Sequence, residues 1–94
     1  RYASSGELNT EVPDPLAVIE FVAERFASAG QDRLDGLTID LTEGAAADPD
    51  DPWSFNLRPS NTEPLLRLNL EASDEAACAR HVAEIRALIA EAAG

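Results

Sequence analysis

Trp53-Ser54-Phe55-Asn56-Leu57-Arg58-Pro59-Ser60-Asn61-Thr62-Glu63-Pro64-Leu65-Leu66-Arg67-Leu68-Asn69-Leu70 is the stretch on which the fold turns. Its two ends alternate apolar with polar residues. Trp53, Phe55 and Leu57 fall on one side of the first segment, and Leu66, Leu68 and Leu70 on one side of the second. A period of two is that of a half-buried strand, so the stretch predicts two neighbouring strands joined by a loop. Ser54, Asn56 and Arg58 then share the polar side of one strand, and Arg67 and Asn69 that of the next, which sets two arginines on the same side of a sheet.

The loop between them is bounded by Pro59 and Pro64 and carries a guanidinium, two hydroxyls and a side-chain amide. This donor inventory suits an anion. Arg58 offers a planar fork to phosphate oxygens, Ser60 and Thr62 donate O–H, and Asn61 accepts backbone angles that let successive amides converge. The same composition also makes an ordinary tight connection, because Ser, Asn, Thr and Pro are turn formers. Both readings stand on the residues alone.

Working outward, Glu7 to Val12 alternates and predicts a first strand, with Leu8 and Val12 inward. Pro13-Asp14-Pro15 stops it and starts a helix, with Asp14 as N-cap and Pro15 in the first helical position. The helix is expected to run to about Ala29, with Leu16, Ile19, Val22, Ala23 and Phe26 as its apolar stripe and Gly30 as the residue that ends it. Gln31 to Gly36 reads as a turn and Leu37 to Thr42 as a second strand. Glu43 to Pro52 is an acidic loop whose four carboxylates raise the question of a metal. Its alternation of Pro and Asp describes an extended solvated segment instead, without the glycine turn and terminal glutamate of a calcium loop. The third strand ends at Arg58, and the fourth runs from Leu65 to Glu71.

A last helix is expected from about Asp74 to Ala92 with Ser73 as N-cap. Cys78, Val82, Ile85 and Ile89 lie on one face of it, which makes Cys78 a small core residue rather than a nucleophile. His81 lies beside that stripe with no triad partner and reads as a surface or boundary residue. The pattern gives one domain, 1–94, of the α+β class: a two-layer sandwich in which a four-stranded, mainly antiparallel sheet carries two helices on one face, in the order βαβββα. The open face would hold Glu7, Asn9, Glu11, Thr38, Asp40, Ser54, Asn56, Arg58 and Arg67.

Composition narrows the partners. Of the 94 residues, 18 are acidic and 7 basic, giving a net charge of −11, and every basic residue is Arg. Such a surface repels nucleic acid and anionic membranes, so neither is expected as a partner, and a phosphate site must be a local island. A single cysteine excludes an intrachain disulfide framework, and a cytoplasmic setting is expected. The chain begins at Arg1 without an initiator Met, which raises the expectation of a piece excised or processed from a longer protein.

R-P-S-N-T-E-P followed by L-L-R resembles the phosphate-binding loop of the C-terminal domain of the α-D-phosphohexomutases, the family of phosphomannomutase and phosphoglucomutase. S-G-E-L-N near the start, D-G-L in the middle, W-S-F-N-L-R and L-N-L-E-A resemble further landmarks of that domain. The resemblance implies a fold like that of the TATA-box-binding protein, a likeness of topology without DNA binding. It implies a four-domain, Mg²⁺-dependent isomerase of carbohydrate metabolism, in which a phosphoserine passes its phosphoryl group to a hexose phosphate. The C-terminal domain would clamp whichever phosphate is not being transferred, and Arg58, Ser60, Asn61, Thr62 and Arg67 match the family's phosphate ligands.

The nucleophilic serine loop, the metal loop and the sugar-reading loop of such enzymes have no counterpart here. Hence no catalytic residue, metal ligand or cofactor is expected within this domain, and alone it is expected to catalyse nothing. The partners implied are a mannose or glucose 1- or 6-phosphate and the other domains of the parent chain. Two further readings remain: a freestanding module that binds a phosphometabolite or another anion, and a structural domain whose polar sheet face meets neighbouring domains.

Overall fold

The computed structural model describes residues 2–94. Arg1, the first residue of the expected polar lead, lies outside them. Six strands and two helices follow in the order β1 (Ala3–Ser4), β2 (Leu8–Glu11), α1 (Pro15–Arg25), β3 (Gly30–Asp32), β4 (Leu37–Leu41), β5 (Trp53–Pro59), β6 (Leu65–Ala72) and α2 (Glu75–Ala93). Every pairing is antiparallel. The sheet runs β1-β6-β5-β4-β3, and β2 shares with β1 the outer edge of β6. The apolar face of the sheet is covered by the two helices, giving a two-layer α+β fold.

The central strands obey the alternation. Leu37, Ile39 and Leu41 of β4, Trp53, Phe55 and Leu57 of β5, and Leu66, Leu68 and Leu70 of β6 are all buried in one core with Val18, Ile19 and Val22 of α1 and Ile85 and Ile89 of α2. Burying Leu-sized side chains contributes about 1.5–3 kcal/mol each, and this core is where the stability of so short a chain resides. Arg25 and Glu91 join the exposed ends of the helices at 3.2 Å.

Four details differ from the sequence expectation, each for a local reason. Helix α1 stops at Arg25 rather than Ala29, because the Gln31 side-chain amide donates to the carbonyls of Ala23 and Phe26 at 2.8 and 2.9 Å and so satisfies the end of the helix from outside. Gly30 accordingly is no helix cap: it opens β3, a strand formed where a turn was expected, with Gly30 opposite Asp40. Leu16 sits at the margin of the helical stripe and is 66% exposed. The N-cap of α2 is Asp74, whose carboxylate accepts from the Ala77 N–H at 2.8 Å, and not Ser73.

At the edge, β1 and β2 form one strand interrupted by a bulge. Ser4 pairs with Glu71 and Leu8 with Leu68, so three residues, Ser5 to Glu7, stand against two on β6. Gly6 takes the positive φ of 67° that the bulge requires. Ser5 holds it in register: its N–H donates to the Leu70 carbonyl at 2.8 Å, and its hydroxyl accepts from the Leu70 N–H at 3.0 Å.

His81 corrects the sequence reading most clearly. It is 6% exposed and central to the buried face of α2. Its ring stacks on Trp53 with centroids 3.8 Å apart and planes 7° from parallel. Nε2 lies 2.8 Å from Asp51 and Nδ1 2.9 Å from Glu84, so only a ring that donates from both nitrogens satisfies both carboxylates. Arg80 reaches the same Asp51 oxygen at 3.0 Å. The acidic loop therefore has a structural task, in which Asp51 clasps it to α2. Among the described residues no helix is long and apolar enough to cross a membrane.

Candidate functional site

Strand register builds the site. Arg58 on β5 and Arg67 on β6 are direct cross-strand partners, with Pro59 opposite Leu66 beyond them, so both guanidiniums leave the sheet on its open face beside the connecting loop. Arg58, Pro59, Ser60, Asn61, Thr62 and Arg67 together line one open pocket of about 360 Å³. All five residues singled out for phosphate are brought together there.

The loop is held from within. Ser60 donates its N–H to the Leu65 carbonyl at 3.0 Å, Leu65 donates to Glu63 at 2.8 Å, and the Ser60 hydroxyl accepts from the Thr62 N–H at 3.3 Å. The N–H groups of Asn61 and Glu63 meet no acceptor among the described residues. Two unspent amides beside two hydroxyls and two guanidinium forks make a cradle for a tetrahedral anion. Next to the arginines the open face adds the uncharged polar residues Thr38, Ser54, Asn56 and Asn69, with the carboxylate of Glu71 among them.

Like charges placed directly opposite on adjacent strands repel. Here Glu7 offsets them, since its carboxylate lies 2.6 Å from Arg67 Nη1 and 3.5 Å from Arg58 Nη2. Asp35 approaches Arg58 Nη1 at 3.9 Å. Two arginines thus face two carboxylates, Glu7 close and Asp35 at the edge of contact, and it is the bulge before β2 that sets Glu7 there. Arg58 Nε is buried and has no hydrogen-bond partner, so the guanidinium is only partly satisfied by these acids.

Residues that sequence reasoning gave no site role support the arginines from behind. The D-G-L turn packs against Arg58: a Cβ on Gly36, which has φ +74°, would come within 2.6 Å of the Arg58 Cβ. Asn56 fixes that turn by donating from Nδ2 to the Asp35 carbonyl at 2.8 Å and to Thr38 Oγ1 at 3.0 Å. The alternation pattern did place Glu7 and Asn56 on the open face. Their contacts depend on which strands pair, which the pattern does not contain.

Two carboxylates away from the pocket have shifted titrations. Partial burial pushes the Asp51 carboxyl up, but hydrogen bonds and charge from His81 and Arg80 outweigh it and hold the group below its ordinary value. The Thr42 hydroxyl and then the Thr42 N–H lower Asp40 in the same direction. Among the described residues no three His, Cys, Asp or Glu side chains gather as a set able to hold a metal ion. Asp51 of the acidic loop is engaged with α2 instead.

A sequence model of the family described as "Phosphoglucomutase/phosphomannomutase, C-terminal domain" matches residues 7–88. The chain is 44% identical over 91 residues, 97% of its length, to a protein of Methanocaldococcus jannaschii named phosphomannomutase, of which this covers 18%. It is 41% identical over 73 residues to a phosphomannomutase of Salmonella typhimurium, covering 76% of this chain and 14% of that protein. Similarity of 40% over 77 residues extends to a protein of Xanthomonas campestris named "Phosphohexose mutases", covering 82% of this chain and 16% of that one. The chain thus spans less than a fifth of the length of these curated relatives.

Proposed function

The chain belongs to the phosphoglucomutase/phosphomannomutase family, as its C-terminal domain, and we propose that it holds the phosphate of a hexose phosphate while other parts of a larger mutase transfer a second one. The observation that carries this reading is the direct pairing of Arg58 with Arg67 over a loop that adds Ser60, Asn61 and Thr62 to one pocket. Two forks, two hydroxyls and free amides match the several oxygens of a phosphate better than a single carboxylate.

The role is positioning. Phosphoryl transfer also calls for a nucleophile and a metal, and among the described residues the carboxylates are not gathered as a ligand set that fits a Mg²⁺ ion. Both are assigned to the remainder of a parent enzyme, an isomerase acting on mannose or glucose phosphates in the cytoplasm, and the chain alone is proposed to be inactive. Binding by one end of a ligand is weak. A few phosphate hydrogen bonds, each contributing about 1–2 kcal/mol, are set against the loss of ligand freedom and against an acidic surface. Affinity near a millimolar Kd, about −4 kcal/mol, is expected. In a parent enzyme, closure over the sugar would let these weak contacts act at high effective concentration.

The test is a nitrogen-15 titration of the chain with a hexose 6-phosphate at low ionic strength. Shifts centred on residues 58–63 and 67, reversed by excess inorganic phosphate, are expected. Shifts centred on the loop at 43–52, or micromolar affinity, would overturn the assignment.

A further inference from the structure

We propose that Glu7 is a built-in competitor for the arginine pair, a carboxylate that a ligand phosphate displaces on binding and that sets how tightly the site holds any anion. The proposal rests on the phosphate reading above and adds to it a determinant of affinity.

Glu7 spans both forks, with one carboxylate oxygen on each arginine. Among the described residues its carboxylate has no other partner. A phosphate dianion seated on the same forks would bring its charge against Glu7 at short range, where the repulsion is least screened. The two anions therefore exclude one another, and the pair of arginines is shared between them.

Release is cheap at this place in the fold. The Glu7 side chain is 39% exposed, and it follows the bulge at Gly6, where even an added Cβ would meet no atom within 4 Å. The anchor of the bulge is Ser5, through its two bonds to Leu70, so Glu7 can swing out while the ladder stays intact. Arg58 is moreover poorly served while Glu7 is in place. Its contacts to acids are 3.5 and 3.9 Å long and Nε has no partner. An incoming anion with more oxygens can improve on that arrangement.

Displacement costs every anion the same Glu7 contacts. A monocarboxylate that replaces Glu7 trades one carboxylate for another and gains little. A phosphate brings a second charge and further oxygens for Ser60, Asn61 and Thr62, so it overcomes the competitor where a monocarboxylate at the same concentration does not.

The experiment compares the native chain with Glu7→Gln, which keeps the shape and removes the charge, using inorganic phosphate and acetate as probes at fixed ionic strength. Glu7→Gln is expected to bind phosphate and acetate each about three- to tenfold more tightly with the ratio between them little changed, and resonances of Ser5 to Leu8 should move on phosphate saturation of the native chain. Phosphate binding by Glu7→Gln that is unchanged or weaker, while Arg58→Ala still abolishes it, would overturn the competitor role and leave the phosphate site standing. Phosphate binding that is insensitive to Arg58→Ala would overturn the site and the competitor together.

Discussion

Gly36 and Arg58 are packed so closely that the turn between β3 and β4 and the head of the loop between β5 and β6 form one unit: a Cβ on Gly36 would lie 2.6 Å from the Arg58 Cβ and 2.7 Å from the Leu57 carbonyl. The glycine is required twice, for its φ of +74° and for this approach to backbone that cannot yield. Gly36→Ala is therefore expected to lower stability by about 1–3 kcal/mol and to weaken phosphate binding through a displaced Arg58. Thermal denaturation and a phosphate titration check it. A variant as stable as the native chain with unchanged affinity would show that the turn yields without consequence.

Arg58 heads the loop and points both to the pocket and to the turn behind it. In a full-length mutase carrying this domain, Arg58→Ala is expected to lower kcat/KM by about 10- to 150-fold, the range of one charge-assisted contact of about 1.5–3 kcal/mol. Steady-state kinetics beside Arg67→Ala decide the ranking. Unchanged activity for Arg58→Ala with a crippled Arg67→Ala would reverse it.

Asp51 joins the acidic loop to α2, and its carboxyl titrates below its ordinary value. A depressed folded pKa adds stability that is fully present above the ordinary carboxylate range, about pH 4, and is lost as pH falls through the lower folded value. Asp51→Asn should therefore lower the melting temperature at neutral pH, and its difference from the native chain should close as pH falls below the ordinary carboxylate range. Trp53 fluorescence reports the same event through the stacked His81 ring. A gap between the two proteins that is constant with pH would disprove the linkage.

Leu57 is fully buried at the centre of β5, two residues before Pro59 and between β4 and β6. Leu57→Ala removes packing on both neighbours and is expected to cost about 2–5 kcal/mol, enough to threaten the fold of so small a domain. Urea denaturation measures it. A cost under about 1 kcal/mol would show that the core relaxes around the gap.

The alternation in Trp53–Leu57 and Leu66–Leu70 determined a half-buried antiparallel sheet, and the spacing of apolar residues after Asp14 and after Ser73 determined two helices to cover it. The grouping of Arg58, Ser60, Asn61, Thr62 and Arg67 around one pocket was equally legible, since they lie within ten residues and a hairpin must bring them together. Local periodicity records which side a residue faces. It does not record which strand lies beside it. For that reason only the tertiary structure decided that Ser5 to Glu7 bulges against β6 to carry Glu7 onto the arginines, that Gln31 caps α1 and makes β3 possible, and that Gly36 supports Arg58. His81 marks the same boundary. Ala77, His81, Ile85 and Leu88 recur at helical spacing, but a polar residue among them is buried only because Trp53 and Asp51 arrive from elsewhere to join Glu84 of the same helix in receiving it.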